Sequence, residues 1–134
     1  MKNILGLDIS TSITGATIIR DGKIIDSFYW DTRNKRYFPT LYEKAKLIKQ
    51  NLLDIQARHE IEEIFIEQSL QSFRSGFSSA KTLSTLSRFN GIVSWLCFEN
   101  FQIQPQMIGA SSARKKAGVE IKRGLFDFVQ KFES

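Results

Sequence analysis

The chain has 134 residues, 42% of them hydrophobic and eleven of them Phe, with 19 Lys and Arg against 14 Asp and Glu for a net charge of +5. That length suits one domain and excludes two of ordinary size, while the apolar content supports a packed core and excludes a disordered tail. A single cysteine, Cys97, excludes an internal disulfide framework, and no apolar run approaches the roughly 20 residues of a membrane-spanning helix.

Met1 to Asn3 lead straight into a strand pattern with nothing resembling a signal peptide, so a reducing cytoplasm and no membrane partner are expected. Residues 3 to 9, NILGLDI, are apolar apart from one Asp near the end. That pattern suits a central strand buried on both faces, with Asp8 at its carboxyl edge. Ile13 to Arg20 is rich in Ile and Thr, and Asp21-Gly22 is a hairpin turn signal before Lys23 to Trp30. Three antiparallel strands therefore open the chain. Asp31 to Tyr37 reads as a loop, and its Arg33, Lys35 and Arg36 form a small basic patch.

Leu41, Ala45, Ile48, Leu52 and Ile55 fall near helical spacing, which predicts a helix over roughly 40–58. Ile61 to Gln68 reads as a fourth strand, followed by a polar loop, Ser69 to Ser79, holding Phe73, Gly76 and Phe77. Leu83, Leu86, Ile92, Val93 and Leu96 predict a second helix over about 80–100. Gly91 inside it costs about 1 kcal/mol relative to Ala, which predicts a close packing contact there. Phe101 to Ile108 reads as a fifth strand, tolerating Pro105 only at an edge or bulge. A short helix capped by Ser111 and ended by Gly118, then helical spacing over 121–133, complete the chain. The expected class is α/β, a mixed five-stranded sheet with flanking helices in the order of the ribonuclease H-like architecture.

Two carboxylates carry the candidate chemistry. An unpaired Asp8 buried in so apolar a run would be costly, so it is expected at a strand end facing a cation or a helix N-terminus. A plainer reading has it capping the Ser10-Thr11-Ser12 turn. Glu67, in FIEQSL, stands at the end of the fourth strand. If strands one and four are adjacent and parallel, the two acids meet at one edge and repel unless a divalent cation lies between them. Oxygen donors suit Mg²⁺ or Mn²⁺, and such a pair is the core of a two-metal phosphodiester site. The plainer reading of Glu67 is a surface acid beside a hydrogen-bonding Gln. His59, the only histidine, reads as a helix C-terminal residue before a metal ligand or general base, and Cys97 as a buried helix residue.

LGLDISTSITGATII, FIEQSL, the helix with Gly91, the strand before Gln104-Pro105 and SSARKKAGVEIKRG stand in an order that resembles RuvC-type Holliday junction resolvases, over nearly the whole chain. The resemblance implies a ribonuclease H-like metal-dependent endonuclease of DNA recombination and repair, in a bacterial or virus-infected host cell. Its partners would be branched DNA such as four-way junctions and a second copy of the chain, since a homodimer makes two symmetric cuts. Asp8 and Glu67 would be two of four acidic ligands for Mg²⁺ or Mn²⁺. The other ligands lie in the family on a helix after the segment matching 121–133, so the 134 residues are expected to be one domain truncated at its C-terminus. Asp127 and Glu133 are the only acids from residue 121 onward, and Asp127 matches the preceding helix. Phe73 and Arg74 would contact bases at the crossover, whereas Phe77 reads better as core. Arg114, Lys115, Lys116, Lys122 and Arg123 would meet phosphates or, on the plainer reading, form a solvated face. The exposed apolar surface of the 80–100 helix is the expected dimer element. Two other classes remain: a catalytically inactive branched-DNA-binding module, and a fragment of a sugar kinase, Hsp70 or actin-type phosphotransferase, which GLDISTS followed by DGK also resembles.

Overall fold

The computed structural model describes residues 2–67 and 79–109. Strands β1 (Asn3–Asp8), β2 (Ile13–Arg20) and β3 (Lys23–Asp31) lead into helix α1 (Leu41–Arg58), then β4 (Glu63–Glu67), α2 (Ala80–Phe101) and β5 (Gln106–Ile108). One five-stranded sheet runs in the order β3-β2-β1-β4-β5. β1–β2 and β2–β3 are antiparallel, whereas β1–β4 and β4–β5 are parallel. This is the mixed sheet expected for a ribonuclease H-like α/β fold.

Local chemistry explains the elements. Asp21 and Gly22 both take positive φ, 53° and 72°, the geometry that matches a two-residue turn to the right-handed twist of β2 and β3. The register slips between Ile18 and Ile19, a bulge that bends the outer hairpin. Thr40 caps α1, accepting from the Tyr42 amide, while Glu43 reaches back to the Thr40 amide at 2.8 Å. This capping box satisfies donors that the first turn leaves open. Ser79 caps α2, accepting from Thr82 at 3.1 Å. No helix among the described residues is long and apolar enough to cross a membrane.

Alternation along β1 divides the sheet into two faces. Leu5, Leu7, Ala16, Ile18, Ile64 and Ile66 share one face and join Ala45, Ile48, Leu52 and Ile55 of α1 and Phe89, Val93, Leu96 and Cys97 of α2 in a single core. Gly6, Asp8, Gly15, Thr17, Phe65 and Glu67 share the opposite face.

Three expectations change. β4 begins at Glu63, because Ile61 is drawn into the core ahead of it and Glu62 bonds through its amide to the Asn3 carbonyl at 3.0 Å. The fifth strand is three residues long. Phe101 completes α2, Gln102 ends it at φ 57° with its amide on the Phe98 carbonyl at 2.8 Å, and Pro105, lacking an N–H for the ladder, precedes the strand. Gly91 is exposed, and a Cβ there would meet nothing within 4 Å, so no close packing within the described residues requires it. The loop holding Phe73, Arg74, Gly76 and Phe77, and the segment holding Arg114, Lys115, Lys116, Lys122, Arg123, Asp127 and Glu133, lie outside the described residues.

Candidate functional site

Parallel pairing of β1 with β4 sets Asp8 opposite Glu67 as the last pair of the register. Strands in a ladder stand about 4.8 Å apart, and side-by-side partners point to the same face. The two carboxylates are therefore neighbours at the carboxyl edge of the sheet, on the face away from α1 and α2. Glu67 is buried and Asp8 half-buried. The parallel adjacency of the two strands, on which the meeting of the two acids depended, is thus observed.

The flanks of the pair differ. On the β2 side Asp8 is opposite Gly15, which is buried and presents no side chain against the carboxylate. On the β5 side Glu67 is opposite Ile108. One pleat step inward on the same face lies Thr17, whose hydroxyl is fully buried with no hydrogen-bond partner among the described residues, a state that costs free energy unless something uses it. Sequence reasoning passed over Thr17. Its signal was the two-residue step from Gly15, which keeps it on the Asp8 face.

The turn after Asp8 is held by its own hydroxyls. Thr14 Oγ1 accepts from the Ser10 amide at 3.3 Å and donates to the Ser10 carbonyl at 3.0 Å, and the Ser12 amide donates to Ser10 Oγ at 3.1 Å. Beyond β3, buried Thr32 straps the turn from outside: its amide donates to the Ser12 carbonyl at 2.8 Å, and its hydroxyl reaches the Thr11 and Ser12 carbonyls at 3.2 and 3.1 Å. Lys44, in the first turns of α1, also donates to the Thr11 carbonyl. Burial, and then repulsion from Lys35, pull the Lys44 ammonium below its ordinary pKa. Lys44 too was missed. It falls three residues after Leu41, on the inward side of the helix.

Elsewhere the candidates resolve as structural. His59 caps the C-terminus of α1 as expected, and its Nε2 lies 3.2 Å from Asp26 Oδ2 on β3, a partner 33 residues away. Cys97 is fully buried, and burial pushes its thiol up to about 12, which leaves it inert.

Asp8 and Glu67 fit a hard divalent cation in part. They could supply two adjacent carboxylate oxygens, and Mg²⁺ keeps several waters in such sites. Among the described residues no group of three or more His, Cys, Asp or Glu is gathered to complete a coordination shell.

No protein-family model and no curated protein matches the sequence. Solved structures do match. RuvC of Thermus thermophilus in complex with Holliday junction substrate is similar with a TM-score of 0.67 at 13% identity, over 86% of this chain and 69% of that one. A second Thermus thermophilus RuvC structure gives 0.63 at 14% identity, over 84% and 67%. The inorganic polyphosphate/ATP-glucomannokinase of Arthrobacter sp. strain KM gives 0.52 at 16% identity, over 87% of this chain and 47% of that one. At such identities the likeness speaks to fold: the chain has the α/β fold of RuvC and of ribonuclease H-like proteins.

Proposed function

We propose that the protein is a metal-dependent, structure-selective endonuclease that cuts phosphodiester bonds in branched DNA. The in-register placement of Asp8 beside Glu67, at the carboxyl edge of a RuvC-like sheet, is the observation that carries this reading. The solved structure of T. thermophilus RuvC on a Holliday junction supports it at the level of fold.

Asp8 and Glu67 would hold Mg²⁺ or Mn²⁺, which when bound supplies an activated water and charge stabilisation at the leaving oxygen. The chain's own contribution is placement. Burial among β-strands fixes Glu67, and the hydroxyl-braced turn fixes the backbone after Asp8. Phe73 and Arg74 are proposed to engage bases at the crossover, and Arg114, Lys115, Lys116, Lys122 and Arg123 to engage phosphates; these roles rest on the family resemblance.

Two copies would make the paired cuts. Trp95 and Phe98 of α2 are 59% and 46% exposed, and exposed Gly91 leaves room for a second backbone to approach. Both features support α2 as the dimer element.

The test is an assay of the full coding product on four-way, Y-shaped and flap DNA with Mg²⁺ or Mn²⁺. Cleavage that disappears in both Asp8→Asn and Glu67→Gln is the expected result; no cleavage of any branched substrate ends the nuclease reading. Retained junction binding without cleavage would identify an inactive binding module instead. The likeness to glucomannokinase favours a second reading, a phosphotransferase unit, which transfer from ATP or polyphosphate to a sugar would reveal.

A further inference from the structure

Six of the 19 basic residues stand between Arg33 and Lys49, against one acid, Glu43. The structure shows which of these charges are already engaged. Arg33 is held by Asp31, Nε to Oδ1 at 3.0 Å and Nη2 to Oδ2 at 2.7 Å. Glu43 is turned onto Thr40 by the capping box. Lys35, Arg36 and Lys44 have no carboxylate partner among the described residues.

Their position is electrostatically awkward. Lys44 is half-buried and close enough to Lys35 for the two ammoniums to repel. It also lies in the opening turns of α1, where the macrodipole is positive. Lys44 is offset there by the Thr11 carbonyl, and Lys35 and Arg36 by no carboxylate among the described residues.

Two aromatics stand among them. Tyr37 and Tyr42 are 67% and 73% exposed, more than any other large hydrophobic side chain of the described residues. Neither adds to the core. Exposed rings interleaved with cations are the composition of a surface for an unstacked nucleic-acid strand, whose phosphates meet the charges and whose bases lie on the rings.

Topology puts this surface beside the carboxylate pair. α1 runs from this edge of the sheet to the opposite one, where His59 precedes β4. The 32–40 loop and the start of α1 therefore border the carboxyl end of β1. Lys44 and Thr32 both bond the Thr11 carbonyl, three residues beyond Asp8.

We propose that residues 35–42 form a strand-guiding surface, in which Lys35 and Arg36 hold the phosphates of an unpaired DNA strand and Tyr37 and Tyr42 stack its bases. Its place in a cutting reaction rests on the nuclease reading of Asp8 and Glu67; its capacity to bind a strand does not.

The test compares the wild-type protein with Lys35→Ala/Arg36→Ala and with Tyr37→Ala/Tyr42→Ala, leaving Lys44 to brace its turn. All four side chains are exposed, so unchanged circular dichroism and melting establish that both variants fold. Fluorescence anisotropy then follows binding of a labelled oligothymidylate and of a four-way junction across a salt series, with cleavage assayed in parallel. The charge variant is expected to lower the slope of log affinity against log salt on the oligothymidylate by about 1.4, from two phosphate contacts at ~0.7 each. The tyrosine variant is expected to weaken single-strand binding roughly fivefold or more, with its salt slope unchanged. Unaltered affinity and slope in both variants, or no single-strand binding by the wild type, overturns the proposal. Normal cleavage alongside that result leaves the nuclease standing, whereas the expected losses without any cleavage keep the surface and remove the nuclease.

Discussion

The two ends of the sheet are built on opposite principles. At the end where β1 begins, polar groups answer one another within the chain. Asn3 donates to the Glu60 carbonyl at 3.0 Å and accepts from Arg20 Nε at 2.7 Å, Lys2 meets Glu63 at 2.7 Å, and His59 meets Asp26 at 3.2 Å. At the end where β1 stops, like charges are grouped: two carboxylates side by side, and cations beside cations across the next turn. Complementary pairing stabilises a fold, and grouped like charge does not. On the proposed reading, a divalent cation would meet the carboxylates and phosphates would meet the exposed cations.

Substitution at the two ends should therefore separate activity from stability. The largest effect is expected from Asp8→Asn or Glu67→Gln, which should remove branched-DNA cleavage to background while lowering the urea midpoint less than Asn3→Ala does. A variant of Asp8 that unfolds the protein but spares the activity of its folded fraction would reverse the contrast.

Asn3→Ala comes next. It strips a buried amide from both of its partners, and a buried group left unsatisfied costs about 1–3 kcal/mol. Urea denaturation should show that loss with no change in junction affinity. At the same end, the His59–Asp26 pair is partly exposed. A double-mutant cycle with alanine at both positions should give a coupling of about 0.2–1 kcal/mol, the range of solvent-screened ion pairs.

Much of this contrast is legible in the sequence, for reasons particular to each residue. Asp8 and Glu67 each close an apolar strand, which pattern shows, but the helix joins β3 to β4, so the juxtaposition of the two acids depended on a sheet order that pattern left conditional. The hairpin is plainer, because Asp-Gly admits positive φ at both positions. Pattern fails where several solutions have equal periodicity. α2 carries apolar residues around much of its circumference, so the helix was recognisable, but the choice of Phe89 for the core and of Trp95 and Phe98 for the surface was not. Nor does spacing reveal that α2 extends through Phe101, since Gln102 ends it in a left-handed conformation that no glycine announces. Lys44 and Asp26 are long-range facts. One reaches Thr11 and the other His59, each 33 residues away, and no local pattern encodes either partner.

The smallest expected effect tests whether all basic residues of the 33–49 segment are equivalent. Arg33 holds the Asp31 carboxyl down to about 2, first by side-chain hydrogen bonding. With the folded value depressed, whatever this pair contributes is present above the ordinary carboxylate range and is lost as pH falls through it toward 2. Both side chains are exposed and the pair is local, so salt and solvent screen it. Chemical-shift titration should place the Asp31 midpoint about 2 in the wild type and return it to the ordinary range in Arg33→Ala, with little change in melting. Replacing Asp31 and Arg33 together by alanine leaves the net charge of this edge unchanged, so single-strand affinity and its salt slope should stay at wild-type values. A loss as large as that of Lys35→Ala/Arg36→Ala would mean that Arg33 leaves Asp31 to meet phosphate, and that the sorting of engaged from available cations at this edge is wrong.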